Sequence, residues 1–224
     1  MKSDGQALAD LAGMLADPTR AEIILALMDG RAFPVSQLAA IAHVSVPTAS
    51  HHLTALVDSG LVVVNQQGRH RYHGLASQQV ADLIESLGAF RIRSGGRVVL
   101  SRQQYLLAQG RTCYSHAAGK LGVRLRLSLE QQGMLTSEDG QYRLNTKGAV
   151  YLRELGVSKS ACTQPAKMCL DWTERVPHIG GPLGAGLLKL LLEREWVRRD
   201  EIPRNLEVTP LGVERIEEVF PLEP

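Results

Sequence analysis

Two short helical stretches joined by a tight turn constrain the fold of this chain more than any other feature. Ser36 is predicted to cap the first stretch, "SQLAAIAHV", and Ser45 the second, "VPTASHHLTALVDSG", which ends at Gly60. Apolar side chains recur at helical spacing along the second stretch. The stripe that we expect to be buried consists of Val46, Ala49, Leu53, Leu56 and Val57. Two helices in this arrangement predict a helix-turn-helix.

The flanking sequence extends this motif. From Ala7 to Leu15 the apolar residues have helical spacing, and Asp17-Pro18 then ends that helix and caps the next one. After the helix-turn-helix, "LVVVNQQGRHRYHGLA" surrounds a turn at Gln67-Gly68 and predicts a two-stranded hairpin. A helix-turn-helix followed by a basic hairpin predicts a winged helix-turn-helix, with its second helix in the major groove of DNA.

The exposed face of the second helix carries hydrogen-bonding groups and no acid. The predicted DNA contacts on this helix and on the hairpin are Ser45, Pro47, Thr48, Ser50, His51, His52, Gln67, Arg69, His70 and Arg71. A metal site at the two histidines is disfavoured, because adjacent side chains on a helix diverge by about 100°. Ser50 lacks the base geometry and orienting acid of a catalytic serine. His52 is the member expected to turn toward the helix-turn-helix core or a backbone carbonyl.

The segments "LADPTRAEIILALMDG", "VSQLAAIAHVSVPTASHHLTALVDSGLV" and "QGRHRYHGL" occur in the order and spacing of one known family. Through them, residues 7 to about 90 resemble the ArsR/SmtB family of bacterial dimeric transcriptional repressors. The resemblance implies a homodimer, built by the first helix and a last helix over Ser77 to Arg91, that releases double-stranded operator DNA when an effector binds. Its two-fold symmetry implies an inverted-repeat operator.

Neither familiar metal site of that family is present in the first module. Its metal-sensing members carry a cysteine pair on the first helix of the helix-turn-helix, or acid and histidine pairs on the dimerisation helix. Here "VSQLAAIAHVS" contains no cysteine, and "SQQVADLIESLGAF" offers Asp82 and Glu85 without a histidine. We therefore expect any effector to be sensed elsewhere in the chain.

Composition bounds the class of protein. Aromatic residues make up 4% of the chain, so cores built from Leu, Val and Ala are expected, which suits packed helices. No stretch reaches the roughly 20 apolar residues that span a bilayer, and the N-terminus lacks a signal pattern, so we expect a cytoplasmic protein with no membrane partner. The three cysteines have no CxxC spacing, which favours reduced thiols.

Positive charge is concentrated in the middle of the chain. Residues 91–126 contain eight Lys/Arg and no Asp/Glu, whereas the segments on either side are mildly acidic. The basic segment "RIRSGGRVVLSRQQYLLAQG" is expected to be a linker in which Ser94-Gly95-Gly96 interrupts any helix. Three interpretations of its arginines stay open: they flank DNA, line an anion pocket or are simply solvated.

The second module contains an internal repeat. "HAAGKLGVRLRLSLEQQGML" matches "HIGGPLGAGLLKLLLEREWV" at an offset of 62 residues, which places His116 over His178 and Gly122 over Gly184. Each copy predicts a long helix, a short hairpin and a closing helix, capped at Thr146 or Thr209. The repeat predicts a duplicated domain packed about a pseudo-two-fold axis, whose glycines allow close helix packing or line a ligand groove.

Polar residues at the start of each repeat form the candidate effector site. The segments "RTCYSH" and "CLDWTERVPH" supply Arg111, Cys113, Tyr114, His116, Cys169, Asp171, Trp172 and His178. Cys113 and His116, at i and i+3 of a predicted helix, are candidate ligands of a divalent metal ion. Cys169 with Asp171 or His178 would complete a four-ligand site.

Two other interpretations of these segments stay open. One is an organic or anionic effector held by Arg111, Tyr114, His116 and Trp172, and the other is plain packing, since cysteine is commonly buried. Long ArsR-like regulators whose C-terminal extension contains R-T-C-Y-x-H and C-L-D-W segments resemble this chain throughout. That resemblance does not identify the effector.

The predicted fold is mainly α with small β-hairpins. We expect a winged helix-turn-helix DNA-binding and dimerisation domain over residues 1–92, a basic linker over 93–111 and a duplicated sensor domain over 112–224. A repressor is predicted and not an enzyme, because no nucleophile with a base, phosphate-binding glycine loop or acid pair has a useful spacing. The rival hypothesis is a small-molecule-binding or enzymatic C-terminal module with a vestigial DNA-binding domain. The cofactor is unknown, with a divalent metal ion as one candidate.

Overall fold

The structure is a computed structural model that describes residues 3–93 and 101–223. The chain divides into two compact units, Met1–Ala81 and Asp82–Pro224. The division therefore falls earlier in the chain than the boundary expected after residue 92. The helix expected over Ser77 to Arg91 spans Gln78–Arg93 and contains the division.

The first unit contains the predicted helix-turn-helix. Its helices are α1 (Asp4–Ala16), α2 (Pro18–Leu27), α3 (Val35–Ile41), α4 (Val46–Asp58) and the start of α5 (Gln78–Arg93). The predicted caps Asp17 and Ser45 are confirmed, since their side chains accept hydrogen bonds from the backbone N–H of Arg20 and Thr48. The predicted cap Ser36 is wrong. The cap is Pro34, two residues earlier, and helix α3 begins at Val35, because strand pairing fixes the preceding chain.

A three-stranded antiparallel sheet completes this unit. It consists of β1 (Phe33–Pro34), β2 (Val62–Gln67) and β3 (His70–Leu75), in the order β1-β3-β2. The hairpin β2-β3 is paired from Val62 with Leu75 to Gln67 with His70, so Gly68 and Arg69 form the turn. Gly68 has a φ of 58°, which glycine adopts without steric cost.

Helix α4 buries most of its predicted apolar stripe. Ala49, Leu53 and Leu56 are buried, and Val57 is half-buried. Val46, predicted to be buried, is wrong: its side chain is 45% exposed. It lies in the first turn of α4 beside exposed residues, so the start of the helix projects from the core of this unit.

The first half of the second unit alternates hairpins with helices. In chain order its elements are α6 (Arg102–Gln109), β4 (Arg111–Cys113), β5 (His116–Ala118), α7 (Gly119–Gln131), β6 (Leu135–Glu138), β7 (Gln141–Leu144) and α8 (Thr146–Leu155). Helix α6 and strand β4 occupy residues 102–111, so the described part of the expected linker is folded. The predicted break at Ser94-Gly95-Gly96 lies outside the described residues.

The second half follows the same order. A short helix α9 (Lys159–Thr163) precedes β8 (Ala166–Leu170), β9 (Pro177–Ile179), α10 (Gly181–Glu193), β10 (Val197–Arg199), β11 (Leu206–Val208) and α11 (Pro210–Val219). Helices α7 and α10 each have 13 residues, and α8 and α11 each have 10. Each half thus has a hairpin, a long helix, a second hairpin and a closing helix.

Buried side chains of α7 and α10 form much of the core of this unit. These are Leu121, Leu125, Leu129, Leu183, Leu187 and Leu191. Strands β6-β7-β8-β9 form one antiparallel sheet, while β4-β5 and β10-β11 are separate hairpins. Thr209 caps α11 as predicted, but the cap of α8 is Asn145 and not Thr146, because Asn145 Oδ1 accepts from the N–H of Gly148. Among the described residues, no helix is both long and apolar enough to cross a membrane.

Candidate nucleic-acid interface and metal centre

The start of α4 presents polar side chains to solvent. Ser45, Pro47, Thr48, Ser50 and His51 are all exposed. The Ser45 hydroxyl lies 2.8 Å from the Thr48 hydroxyl and caps the helix, so it is already engaged. No acidic residue lies in the first turn. This face therefore offers hydroxyl and imidazole groups to an anionic ligand.

The hairpin β2-β3 carries the other predicted contacts at its tip. Gln67, Arg69, His70 and Arg71 are exposed around the turn at Gly68. The arginine side chains are free to reach an anionic ligand in solvent. In a winged helix-turn-helix this hairpin corresponds to the wing.

His52 differs from the other predicted contacts. Its side chain is 15% exposed, and Nδ1 lies 3.6 Å from Oδ1 of Asp17, the residue that caps α2. The expectation that His52 turns inward agrees with this position. Its partner is a carboxylate at the start of α2 and not a backbone carbonyl.

The second unit brings together two pairs of side chains that lie more than 50 residues apart in the sequence. Cys113 and His116 face each other across the β4-β5 hairpin, and Cys169 and His178 do so across β8-β9. We call these four residues the Cys-His cluster. The predicted helix over Cys113 and His116 is wrong: a tight turn with Tyr114 at a φ of 58° reverses the chain between them.

The ligand atoms of the Cys-His cluster converge on one point. The four candidate atoms, two Sγ and two imidazole nitrogens, all lie within 4.8 Å of one another. The sulfurs of Cys113 and Cys169 are 3.8 Å apart, and the Nε2 atoms of His116 and His178 are 3.0 Å apart. All four residues are buried. Such a set of two thiols and two imidazoles can hold one metal ion.

Asp171 lies behind the cluster and not within it. Its Oδ2 is 3.2 Å from Nδ1 of His178 and accepts a hydrogen bond from the N–H of Gly119 at 2.6 Å. Its Oδ1 is 3.2 Å from a guanidinium nitrogen of Arg111. The carboxylate therefore orients the imidazole of His178 so that Nε2 faces the cluster.

Arg111 is enclosed by its own unit. Its side chain has no exposed surface, donates to the Thr173 hydroxyl at 3.1 Å and lies 4.8 Å from the ring centre of Trp172. Glu85 of α5 is 3.7 Å from Arg111 and 2.5 Å from Arg204. Arg111 and Trp172, predicted as effector contacts, are thus engaged with each other. Tyr114 is half-buried in the β4-β5 turn.

Sequence reasoning missed Glu85, Arg204 and Thr173 as members of this buried polar network. The one sequence signal for this network was Glu85, an acid on the otherwise apolar side of α5. The partners of Glu85 are more than 20 residues away along the chain, so no local pattern identifies them.

Burial and mutual contact set the charges of these groups. Contact with Cys113, and with the two imidazoles, lowers the pKa of Cys169 against the effect of burial. The same sulfur contact and burial raise the pKa of Cys113. Burial alone would lower the pKa of His178, but Asp171 and Cys169 raise it to about 9. Burial lowers the pKa of His116. The cluster therefore favours one thiolate next to one imidazolium.

Two glycines let each long helix approach the opposite hairpin. A Cβ atom on Gly122 of α7 would lie 3.4 Å from Cβ of His178, and one on Gly184 of α10 would lie 2.9 Å from Cβ of His116. The contacts are reciprocal between the two halves. They place the Cys-His cluster between α7 and α10.

The fold of the first unit is that of a winged helix-turn-helix DNA-binding domain, and sequence comparison agrees. A family model described as a helix-turn-helix domain matches residues 15–65. The chain is 38% identical over 210 residues to the uncharacterized HTH-type transcriptional regulator YdfF of Bacillus subtilis, covering 92% of this chain and 93% of YdfF. It is 42% identical over 81 residues to the HTH-type transcriptional regulator CmtR of Mycobacterium tuberculosis, covering 36% of this chain and 68% of CmtR.

Among solved structures, the NMR structure of the cadmium metal-sensor CmtR from Mycobacterium tuberculosis is 39% identical. It covers 42% of this chain and 88% of that chain, with a TM-score of 0.31. The nearly full-length match to YdfF establishes the family. The chain belongs to the family of HTH-type transcriptional regulators.

Proposed function

We propose that this DNA-binding regulator acts as a homodimer on an inverted-repeat operator and releases it when an effector binds the second unit. The observation that carries the DNA-binding part is the acid-free polar face at the start of α4, with exposed Thr48 and His51. Hydroxyl and imidazole groups on such a face reach base edges in the major groove, while Arg69 and Arg71 contact phosphates. A regulator of this kind acts where the chromosome is, in the bacterial cytoplasm.

Exposed apolar side chains support a dimer. Helix α1 buries none of its residues, and its Leu8 is 69% exposed. Leu87 on α5 is 48% exposed. Apolar surface on both of these helices would be covered by a second copy of the chain.

We further propose that residues 112–224 are a duplicated sensor domain. The matching order of elements, the 62-residue offset and the reciprocal glycine contacts all support a duplication. Each half supplies one cysteine and one histidine to the Cys-His cluster. A site shared by two halves is suited to sensing, because a ligand there changes how the halves pack.

DNA binding is tested with the full-length chain and DNA from the promoter of its own gene. We expect affinity to fall as salt rises between about 50 and 200 mM, because phosphate contacts release counterions. Arg69→Ala should weaken binding to all sequences and lower the salt slope by about 1. Arg143→Ala is the matched control, because Arg143 is also exposed on a hairpin, β6-β7, in the other unit. If both variants lose DNA affinity equally, or neither loses any, the assignment of the β2-β3 hairpin as the wing is contradicted.

A further inference from the structure

We propose that the Cys-His cluster binds one thiophilic divalent metal ion, of the class of Zn²⁺, in a tetrahedral site with four protein ligands. The ion would be the effector, and as an account of sensing this inference rests on the proposed function. Metal binding itself requires only the four residues of the Cys-His cluster.

The sulfur pair and the nitrogen pair already have nearly the spacing of a tetrahedral site. An ion with metal–sulfur bonds of about 2.3 Å holds its two sulfurs about 3.8 Å apart. The Sγ atoms of Cys113 and Cys169 are 3.8 Å apart. Two imidazole nitrogens on such an ion lie about 3.3 Å apart, and the Nε2 atoms of His116 and His178 are 3.0 Å apart. A sulfur and a nitrogen on such an ion lie about 3.6 Å apart, and all four ligand atoms lie within 4.8 Å of one another. Closure of the set by about 1 Å therefore brings all four atoms to bonding distance.

The chemistry of the donors selects the class of ion. Two sulfurs and two imidazoles favour Zn²⁺ and similar soft or borderline ions, whereas Mg²⁺ and Ca²⁺ require oxygen ligands. Asp171 supports this class, because its carboxylate faces Nδ1 of His178 at 3.2 Å while Nε2 faces the cluster. A carboxylate behind a histidine in this way is the usual support of a metal-bound imidazole.

The number of ligands indicates what the ion would do. Four protein ligands leave no position for a reactive water, so the site is suited to a structural or sensing role and not to hydrolysis. From His178 a series of buried contacts leads through Asp171 and Arg111 to Glu85 on α5. Occupancy of the cluster is thereby connected to the helix proposed to form the dimer.

A disulfide is the rival use of the two cysteines. Its sulfurs would have to approach to about 2.05 Å, whereas they are 3.8 Å apart. A disulfide would also give no role to the converging nitrogens of His116 and His178. Metal binding uses all four side chains.

The direct test is a titration of reduced, metal-free full-length protein with Co²⁺, whose absorption reports tetrahedral thiolate ligation, followed by displacement with Zn²⁺. We expect one ion per chain. Cys113→Ser and Cys169→Ser should each weaken Co²⁺ binding by more than about 100-fold and reduce the thiolate charge-transfer band to about half, because one thiolate ligand is left. Cys162→Ser is the matched control, because Cys162 is equally buried but lies in α9 outside the cluster.

The wild-type result is decisive even where a variant fails to fold. If reduced wild-type protein binds no Co²⁺ or Zn²⁺, the proposal is overturned, as it is by folded cluster variants that keep wild-type affinity. If the protein binds no metal but forms a disulfide between Cys113 and Cys169 on oxidation, the cluster is a thiol switch and not a metal site.

Operator affinity with and without Zn²⁺ separates the two proposals. Sensing predicts a drop of at least about 10-fold on metal binding, within the usual range of allosteric coupling. Metal binding with unchanged operator affinity leaves the site in place but overturns its role as the effector site. If the protein binds metal but binds no operator DNA with or without Zn²⁺, the proposed function is overturned and the metal site is still supported.

Discussion

Asp171 combines several tasks in one buried carboxylate. It accepts hydrogen bonds from the backbone of Gly119 and Thr173 and faces the side chains of Arg111 and His178. Burial raises its pKa, but the hydrogen bond with His178 and the charge of Arg111 lower it by more, so it remains charged. The residue thus connects the candidate metal ligands to the rest of the unit.

Replacing this carboxylate by an amide should weaken metal binding by more than the accompanying loss of stability accounts for. We expect Asp171→Asn to weaken Co²⁺ binding about 10- to 100-fold, because the imidazole of His178 loses its orienting partner. Stability of the metal-free protein should fall by up to about 3 kcal/mol, since Arg111 loses a buried partner. Asp200→Asn removes another aspartate that accepts a backbone N–H, that of Ile202, and should leave Co²⁺ affinity unchanged. Equal metal affinity in both variants would contradict the role of Asp171.

His73 gives the first unit a pH dependence of its own. Burial lowers its pKa below the ordinary value of 6.5, more than its backbone contact with Phe33 raises it. The unfolded chain therefore takes up a proton that the folded chain resists, and stability is lost as pH falls below about 6.5. Between pH 7 and 5 the melting temperature of wild-type protein should fall further than that of His73→Gln. His70→Gln, exposed on the same strand, should behave as wild type.

At the scale of elements, close contact between α10 and the β4-β5 hairpin depends on Gly184. A Cβ atom there would lie 2.1 Å from the carbonyl oxygen of Ile179 and 2.9 Å from Cβ of His116. We expect Gly184→Ala to lower the free energy of unfolding by about 1 to 3 kcal/mol, as overpacking does, and to weaken Co²⁺ binding.

The control for this change is Gly88→Ala on α5. A Cβ atom there meets Trp172 at 3.7 Å, an ordinary contact, so the change should be neutral or stabilising by up to about 1 kcal/mol through helix propensity. Denaturant unfolding of both variants measures the difference. If Gly88→Ala lowers the free energy of unfolding more than Gly184→Ala does, the close contact of α10 with the β4-β5 hairpin contributes little to stability.

The elements that the sequence predicts best are those set by local chemistry. Asp17 and Ser45 were predicted as caps because a short polar side chain before a helical stretch satisfies free N–H groups within three residues. The hairpin β2-β3 follows from alternation around Gly68. The prediction of Ser36 as a cap was wrong because Phe33 pairs with His73, which is distant in the chain, and this pairing fixes where α3 begins.

The residues of the Cys-His cluster were predicted from the sequence, but their geometry was not. A spacing of three between Cys113 and His116 fits a helical turn as well as a hairpin turn. Only the positive φ of Tyr114 and the pairing of β4 with β5 decide between them, and neither is visible in a sequence. The repeat offset of 62 residues indicated equivalent positions for His116 and His178 alone, because Cys113 and Cys169 are 56 residues apart.

At the scale of the whole molecule, the proposed homodimer predicts a fixed distance between the two halves of the proposed operator. Two recognition helices related by two-fold symmetry reach half-sites about one helical turn, or a multiple of it, apart. Inserting about 5 base pairs between the half-sites should lower affinity at least 10-fold, because one half-site turns to the far side of the duplex. Inserting about 10 base pairs should restore part of it.

Binding of the full-length protein to the three DNAs by fluorescence anisotropy measures this effect. A scrambled half-site in DNA of the original length controls for loss of sequence contacts. Equal affinity for all three spacings would indicate that the chain binds DNA one copy at a time.

The reciprocal glycines have a consequence for how this chain can change over evolution. A Cβ atom on Gly184 would meet Cβ of His116, in the other half, at 2.9 Å and the carbonyl oxygen of Ile179 at 2.1 Å. One on Gly122 would meet the carbonyl oxygen of Ala117, in its own half, at 2.3 Å and Cβ of His178 at 3.4 Å. A larger residue in place of Gly184 therefore displaces a histidine that the other half encodes. Loops and surfaces of the two halves can diverge independently, while Gly184 and His116 can be altered only together.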